Sequence, residues 1–330
     1  MRQVAFRDRL MEPLMADSID PEPPLSEEQI AACLKEIAHE WAYPNRSPVL
    51  RTPADEGLDY EDVTFPSQDG VTLEAWFIPC AGSDRLVIVN HPMMFNRYGF
   101  PSHLEPWRSF GTASGNTFEV DYVADYRILH EAGYNVLTYD ERNFGLSGTG
   151  NGGLNSGGRY QGRDVIGSLL YAGSRDDLKT MAIGLFSRCN GANANLYAVH
   201  TQPHYFDDVR CMVLCQPLSV GSVMKRTLEG MGLGDRIDQL DREIQLVASL
   251  TFDQMSPNLW ARSVQTPTFV YQVLDDLLTT PADVHATFDA ISTPRKKLHW
   301  IHGTKQRWNG YLEFQRRPEP MLAWFDEHMA

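Results

Sequence analysis

One short segment constrains the fold of this 330-residue chain more than any other. Residues 180–186 form an apolar run that is typical of a buried strand, and residues 192–200 have the composition of a helix. Only Ser187-Arg-Cys-Asn-Gly191 stands between them. Small residues two positions before and two positions after Cys189 would let the strand and the helix approach each other closely. The segment therefore predicts a strand that runs straight into a helix, with Cys189 at the tip of a sharp turn.

The pattern of the remaining chain predicts an α/β fold. Two strand-like runs, at residues 60–66 and 71–78, are joined by Ser67-Gln-Asp-Gly70, which is a hairpin signal. From Arg85 to the C-terminus, short apolar runs alternate with segments of helical character. Such alternation indicates a mostly parallel central sheet flanked by helices.

Two segments lie outside this alternation. Residues 1–55 are predicted to form an N-terminal helical arm, in which Ser26 caps a helix that ends near Trp41. Residues 222–262 are predicted to form a helical lid insert within a body that spans residues 56–330. A homodimer through the arm or the lid would be compatible with these features.

Composition excludes several classes of partner. The net charge of −14 argues against a nucleic acid, whose phosphates require clustered Lys and Arg. No stretch approaches the roughly 18 apolar residues that a membrane span needs. The five cysteines follow no metal-ligand spacing, and free thiols suit a reducing compartment. We therefore expect a cytoplasmic protein that uses no cofactor or metal and binds a small molecule.

The turn at Cys189 also carries a family resemblance. Ser187-Arg-Cys-Asn-Gly191 is similar to the nucleophile elbow G-x-S-x-G, with cysteine in place of serine. From about Tyr60 to the C-terminus the chain resembles the α/β-hydrolase superfamily, and its cysteine is similar to that of dienelactone hydrolases. The resemblance implies the α/β-hydrolase fold and a nucleophilic Cys189, since a helix N-terminus favours a thiolate. An inert thiol stays open, as does Ser187 as the nucleophile, although bulky Leu185 would then flank it.

The resemblance extends to the groups that would serve this nucleophile. The backbone N–H groups of Met93 and Asn190 are the expected oxyanion donors, because Pro92 has no N–H. The family spacing places the triad acid at Asp276, with the neighbouring Asp275 as the alternative.

The position of the triad histidine is the chief departure from the family. Gln306 stands where the histidine is expected, and glutamine cannot exchange a proton at neutral pH. His302 would have to take that role, or Gln306 would hold the substrate while Cys189 catalyses a different reaction.

Three functions follow from these residues. The first is a cysteine-dependent acyl hydrolase or acyltransferase acting on an ester, lactone or thioester of a bulky apolar small molecule. The second is a non-hydrolytic cyclase or lyase of specialised metabolism, and the third is a non-catalytic binding protein. The expected substrate-binding residues come from the aromatic loop 93–111 and from the lid insert: Tyr98, Phe100, Trp107, Met224 and Trp260.

Overall fold

An eight-stranded sheet organises the described part of the chain, which in this computed structural model comprises residues 25–113 and 115–330. The strand order is β1-β2-β6-β3-β7-β8-β9-β10, with β2 antiparallel to both its neighbours and all other pairs parallel. The strands of the sheet are β1 (Glu61–Pro66), β2 (Thr72–Ile78), β3 (Arg85–Asn90), β6 (Asn135–Tyr139), β7 (Ala182–Arg188), β8 (Val209–Cys215), β9 (Thr268–Val273) and β10 (Lys296–Ile301).

The helices cover both faces of this sheet. They are α1 (Glu27–Ala42), α2 (Trp107–Ala113), α3 (Val123–Glu131), α4 (Gly162–Ser174), α5 (Asn190–Thr201), α6 (Val220–Gly230), α7 (Ile237–Ala248), α8 (Pro257–Trp260), α9 (Pro281–Ala290), α10 (Trp308–Tyr311), α11 (Glu313–Arg316) and α12 (Glu319–Met329). Apolar residues of α3 and α12 share one core cluster with one face of the sheet, and those of α4, α5 and α8 share a second cluster with the other. The predicted α/β architecture is confirmed.

A small antiparallel pair interrupts the long loop that follows β3. It consists of β4 (Gly99–Phe100) and β5 (Val120–Asp121), and sequence patterning did not predict it. Gly99 has a φ of +139°, and a Cβ at this position would lie 1.9 Å from the carbonyl oxygen of Val120. Glycine is therefore the residue that lets these two backbones meet.

The arm helix and the insert helices share a third core cluster. Leu34 and Ala38 of α1 pack with Leu240 and Ile244 of α7, all of them buried. Glu27 also forms an ion pair with Arg236 at 2.6 Å. Residues 1–24 of the predicted arm lie outside the described residues, and a homodimer through either segment stays a prediction.

Ser26 and Gln29 form a capping box at the N-terminus of α1, where the sequence predicts Ser26 as the N-cap. The Ser26 hydroxyl accepts from the Gln29 N–H at 3.2 Å, and the Gln29 side chain accepts from the Ser26 N–H at 2.8 Å. These two bonds satisfy donors that a helix N-terminus otherwise leaves without an intrahelical partner.

Ser26→Ala is expected to lower the free energy of unfolding by about 1 kcal/mol, because it removes the acceptor for the Gln29 N–H. Urea denaturation followed by circular dichroism would measure the loss. Ser26→Asp is the matched control, since it retains an acceptor at the same position. Equal destabilisation by both variants would contradict the capping role.

No helix within residues 25–113 and 115–330 is long and apolar enough to cross a membrane.

Candidate active site

The turn between β7 and α5 holds Cys189 in a strained backbone conformation. Its φ of 51° and ψ of −110° place a non-glycine residue in the left-handed half of conformational space. The Cys189 N–H donates to the Cys215 carbonyl at 2.8 Å, and its carbonyl accepts from the Asn193 N–H at 3.0 Å. The side chain is 9% exposed. The thiol therefore sits at the carboxyl edge of the sheet, at the N-terminus of α5.

The residues two positions from Cys189 explain why the turn can be so tight. A Cβ on Gly191 would lie 2.6 Å from Cβ of Asn90 and 2.9 Å from the His91 carbonyl oxygen. The Ser187 hydroxyl donates to Asn90 Oδ1 at 2.8 Å and accepts from the Asn195 amide at 2.5 Å. Ser187 is fully buried and both bonds engage its hydroxyl, so it acts as a structural residue beneath the turn.

The loop after β3 lies beside this turn. The Gly191 N–H donates to the His91 carbonyl at 3.2 Å, and the Asn155 amide donates to the Met93 sulfur at 3.0 Å. Asn190 is the first residue of α5, where a backbone N–H has no acceptor within the helix. The two expected oxyanion donors thus come from segments that the structure holds side by side.

His91 is a structural residue of this loop. Its ring accepts from the Glu141 N–H at 2.9 Å through Nε2 and contacts the Pro92 carbonyl at 2.7 Å through Nδ1. Burial lowers its pKa from 6.5 to about 4, with smaller contributions from Arg97 and Arg188. The ring is therefore neutral at physiological pH, and both of its nitrogens are engaged away from Cys189.

A buried carboxyl group supports the first residue of α5. The Asn190 side chain donates to Glu141 Oε2 at 2.9 Å. Burial raises the pKa of Glu141 well above its usual value, and the nearby Asp164 adds to the effect. A buried carboxyl group with a raised pKa therefore lies beneath the turn, a feature that the sequence pattern did not single out.

Asp276, the acid predicted from the family spacing, forms an ion pair with Arg307. Asp276 is 4% exposed and accepts from Arg307 Nη1, from the Thr279 hydroxyl at 2.8 Å and from the Gln272 amide at 3.1 Å. The Arg307 guanidinium also donates to the Gln216 carbonyl and, through Nε at 2.9 Å, to the Tyr311 hydroxyl. Asp275, the alternative acid, is exposed.

Tyr311 is bonded to this arginine and lies in the same buried cluster as Cys189. Its hydroxyl accepts from Arg307 Nε at 2.9 Å. Burial raises the pKa of Tyr311 well above 10, although Arg307 opposes that shift. Burial alone would lower the pKa of Arg307, but the neighbouring Tyr311, Asp276 and Cys189 outweigh it and raise the pKa. A path of polar contacts therefore runs from Asp276 through Arg307 to Tyr311.

Known structures resemble this arrangement of strands and helices, whereas no protein-family model and no curated protein sequence matches the chain. An esterase from Pyrococcus furiosus superposes with a TM-score of 0.64 at 19% identity, over 88% of this chain and 99% of the esterase. An α/β hydrolase from a Penicillium species superposes with a TM-score of 0.54 at 18% identity, over 82% and 99% of the two chains. A dienelactone hydrolase from Anabaena variabilis gives 0.52 at 15% identity, over 83% and 99%.

The chain has the α/β-hydrolase fold. At these identities the likeness establishes the fold, so the activity has to be argued from the residues of this site.

In the α/β-hydrolase fold a histidine normally joins the acid to the nucleophile, and here the candidate acid Asp276 is paired with Arg307, which is bonded in turn to Tyr311. His302 is exposed at the end of β10. Gln306 is half-buried and accepts from the Asn309 amide at 3.2 Å. The contact with the candidate acid is therefore made by Arg307, one residue beyond Gln306. Roles for His302 and Gln306 in catalysis stay predictions.

The expected substrate-binding residues divide among three regions of the α/β-hydrolase fold. Tyr98 and Phe100 are buried in the same core cluster as Cys189, and Trp107 packs against that cluster. Met224 lies in the cluster shared by the arm and insert helices, and Trp260 in the cluster on the opposite face of the sheet. The structure therefore places the three residues of the aromatic loop with the cluster of Cys189 and the two residues of the insert in other clusters, and a role for all five in substrate binding stays a prediction.

A surface cleft of about 500 Å³ lies at the other end of the strands. Its lining includes Val209, the first residue of β8, and Pro267, which directly precedes β9. Ligands of open α/β sheets bind beyond the carboxyl ends of the strands, where Cys189 lies. This cleft is therefore separate from the candidate active site.

Proposed function

We propose that the protein is a cysteine-dependent acyl hydrolase or acyltransferase acting on an ester, lactone or thioester of a bulky apolar small molecule. The observation that carries the proposal is the strained conformation of Cys189 at the N-terminus of α5. A side chain in this position projects from the turn toward a bound carbonyl group, and the helix N-terminus stabilises negative charge on its sulfur.

The surroundings of Cys189 support the class of substrate. In the proposed reaction the sulfur attacks the carbonyl carbon, and the N–H groups of Met93 and Asn190 bind the oxyanion that forms. Phe95, Trp308 and Tyr311 belong to the same buried cluster as the thiol, with ring centroids 5.5 Å apart for both Phe95–Trp308 and Phe95–Tyr311. An acyl chain or aromatic ring would match such a lining better than a charged group would.

Incubation of the full chain with 4-nitrophenyl butanoate is expected to give a butanoyl adduct on Cys189, detected by mass spectrometry of the intact protein. Cys189→Ala should lose the adduct, because no nucleophile then stands at the turn. Cys80→Ala is the matched control, since Cys80 is a half-buried free cysteine that bonds the His130 carbonyl and should not affect labelling. An adduct that persists in Cys189→Ala, or none in the wild type, would refute the proposal.

A non-hydrolytic cyclase or lyase is the second candidate, and Arg307 is the observation that favours it. An arginine cannot act as a general base at neutral pH, so the activation of water that hydrolysis needs has no imidazole at the usual place. Turnover of an ester in ¹⁸O-labelled water separates the candidates. Label in the released acid supports the hydrolase, whereas an unlabelled cyclised or eliminated product supports the alternative.

A further inference from the structure

We propose that residues 41–48, the connector at the end of α1, position residues 91–98, the oxyanion loop, and that Asn155 is the positioning residue through which the connector holds Met93. This inference rests on the proposed acyl transfer at Cys189, in which the Met93 N–H binds the oxyanion. It deepens that proposal by giving the N-terminal helix a part in the reaction.

Asn155 is the first link between the connector and the oxyanion loop. Its N–H donates to the Ala42 carbonyl at 2.8 Å, and its side-chain amide donates to the Trp41 carbonyl at 3.3 Å. Both carbonyl groups belong to the last turn of α1, where they have no donor within the helix. The same amide donates to the Met93 sulfur at 3.0 Å. One buried side chain therefore joins the end of the helix to the residue that carries the expected oxyanion donor.

Asn96 is the second link between these two segments. Its side-chain amide donates to the Ser47 hydroxyl and to the Pro48 carbonyl, both at 2.9 Å. Its side-chain oxygen accepts from the Tyr98 N–H at 2.8 Å, within the oxyanion loop itself. Asn96 and Ser47 are both buried. The oxyanion loop is therefore bonded to the connector at Met93 and again three residues later.

The backbone of the oxyanion loop is strained next to Met93. Met94 has a φ of 68°, in the left-handed region that residues with a Cβ rarely adopt. Such a conformation persists only where surrounding contacts hold the backbone in place. Before Met93, the Gly191 N–H donates to the His91 carbonyl at 3.2 Å, which fixes this end of the loop to the helix that begins after Cys189. The connector supplies the contacts at Met93 and beyond it.

The Met93 N–H is available to a substrate. Among residues 25–113 and 115–330 it has no hydrogen-bond acceptor, and the Met93 side chain packs against the cluster that contains Cys189. An oxyanion donor is effective only when its N–H lies about 3 Å from the developing charge. A displacement of about 1 Å can lower a rate about 100-fold. The position of this backbone group is therefore the quantity that the connector controls.

Two reactions of Cys189 separate the position of the oxyanion loop from general damage to the site. 4-Nitrophenyl butanoate acylates the sulfur through an oxyanion, whereas iodoacetamide alkylates it at a CH₂ carbon, with loss of iodide, and forms no oxyanion. Both rate constants would be measured on the full chain by peptide mass spectrometry at Cys189. In Asn155→Leu we expect acylation to fall about 10–100-fold and alkylation to stay nearly unchanged.

Asn135→Leu is the matched control for this variant. The Asn135 amide also donates to two backbone carbonyls, those of Ser83 at 3.2 Å and Arg85 at 3.0 Å, and to a methionine sulfur, that of Met181 at 3.5 Å. Asn135 is likewise buried, but it is the first residue of β6 and lies at the opposite edge of the sheet. The control should therefore lose comparable stability without changing the ratio of acylation to alkylation at Cys189.

The outcomes separate this inference from the proposed function. A ratio in Asn155→Leu equal to that of the wild type would overturn the inference, while an acyl adduct on Cys189 would still support the proposed reaction. Absence of any acyl adduct in the wild type would overturn both. Should Asn155→Leu fail to fold, Met93→Leu decides, because it removes only the sulfur that accepts from Asn155 and retains the N–H. Its ratio should also fall, and an unchanged ratio would refute the inference.

Discussion

Arg307→Met is expected to lower the free energy of unfolding by about 3–5 kcal/mol. The side chains of Arg307 and Asp276 are 3% and 1% exposed, so the variant leaves a buried carboxylate without its counter-ion. The Thr279 hydroxyl and the Gln272 amide would still donate to Asp276, but neutral donors do not replace a charge in a buried site. Urea denaturation of the full chain measures the loss.

Two further variants identify the cause of that loss. Arg307→Met combined with Asp276→Asn should recover part of the stability, because no unpaired charge remains. Arg236→Met breaks an ion pair with Glu27 that is largely exposed, and it should change stability little. If the double variant is no more stable than Arg307→Met alone, the loss comes from packing and from the bonds to Tyr311 and Gln216, and the electrostatic account is wrong.

Acid is expected to destabilise the fold through His91, by about 3 kcal/mol between neutral pH and pH 4. The pKa of the ring is about 4 in the folded protein against an ordinary value of 6.5. Between these two values the unfolded chain binds a proton that the folded chain does not, so stability is lost as the pH falls through this window. Well above pH 6.5 the ring is neutral in both states and contributes no pH dependence.

A difference measurement isolates this effect from other buried groups. The pKa values of Asp125 and Asp164 are raised by burial to about 7 and about 6, so these carboxyls act with the opposite sign and stabilise the fold as the pH falls. Subtracting the stability of His91→Gln from that of the wild type at each pH removes both contributions. A difference that stays constant from pH 7 to pH 4 would contradict the burial of a neutral His91.

Much of the fold could be predicted because its signals are local. Apolar runs, a capping serine and a hairpin turn each lie within a few residues, and the elements at Glu27–Ala42, Thr268–Val273 and the turn around Cys189 occur where their patterns place them. The β4–β5 pair could not be predicted in this way. A strand of two residues is too short to show the alternation of apolar and polar residues that marks a strand. The pairing also depends on the close approach of Gly99 to Val120, which lies 21 positions further along the chain.

Residues of the candidate site could be predicted from the sequence where the family pattern requires one type of residue at one position. Cys189 and Asp276 follow from a turn motif and a spacing, but Arg307 was missed because the pattern requires a histidine and arginine is not a proton carrier. One local signal could have pointed to it, since Tyr311 follows Arg307 by four residues, a spacing that lets two side chains meet on one side of a helical turn. The clusters that Met224 and Trp260 join could not be predicted either, because an apolar residue on a helix does not reveal which core it enters.

The helices of the insert are held in place by segments that are far apart in the chain. The Asn193 side chain of α5 bonds both the N–H and the carbonyl of Leu218, two residues before α6, so the segment that leads into α6 is fixed to the helix that begins after Cys189. Further along the insert, α7 is packed against α1 through Leu34 and Ile244. Any outward motion of α6 and α7 would therefore have to carry α1 along or expose both apolar surfaces to water. Opening of this region would then be a concerted rearrangement of two chain segments, and shortening the N-terminal region would alter its rate as well as its energy.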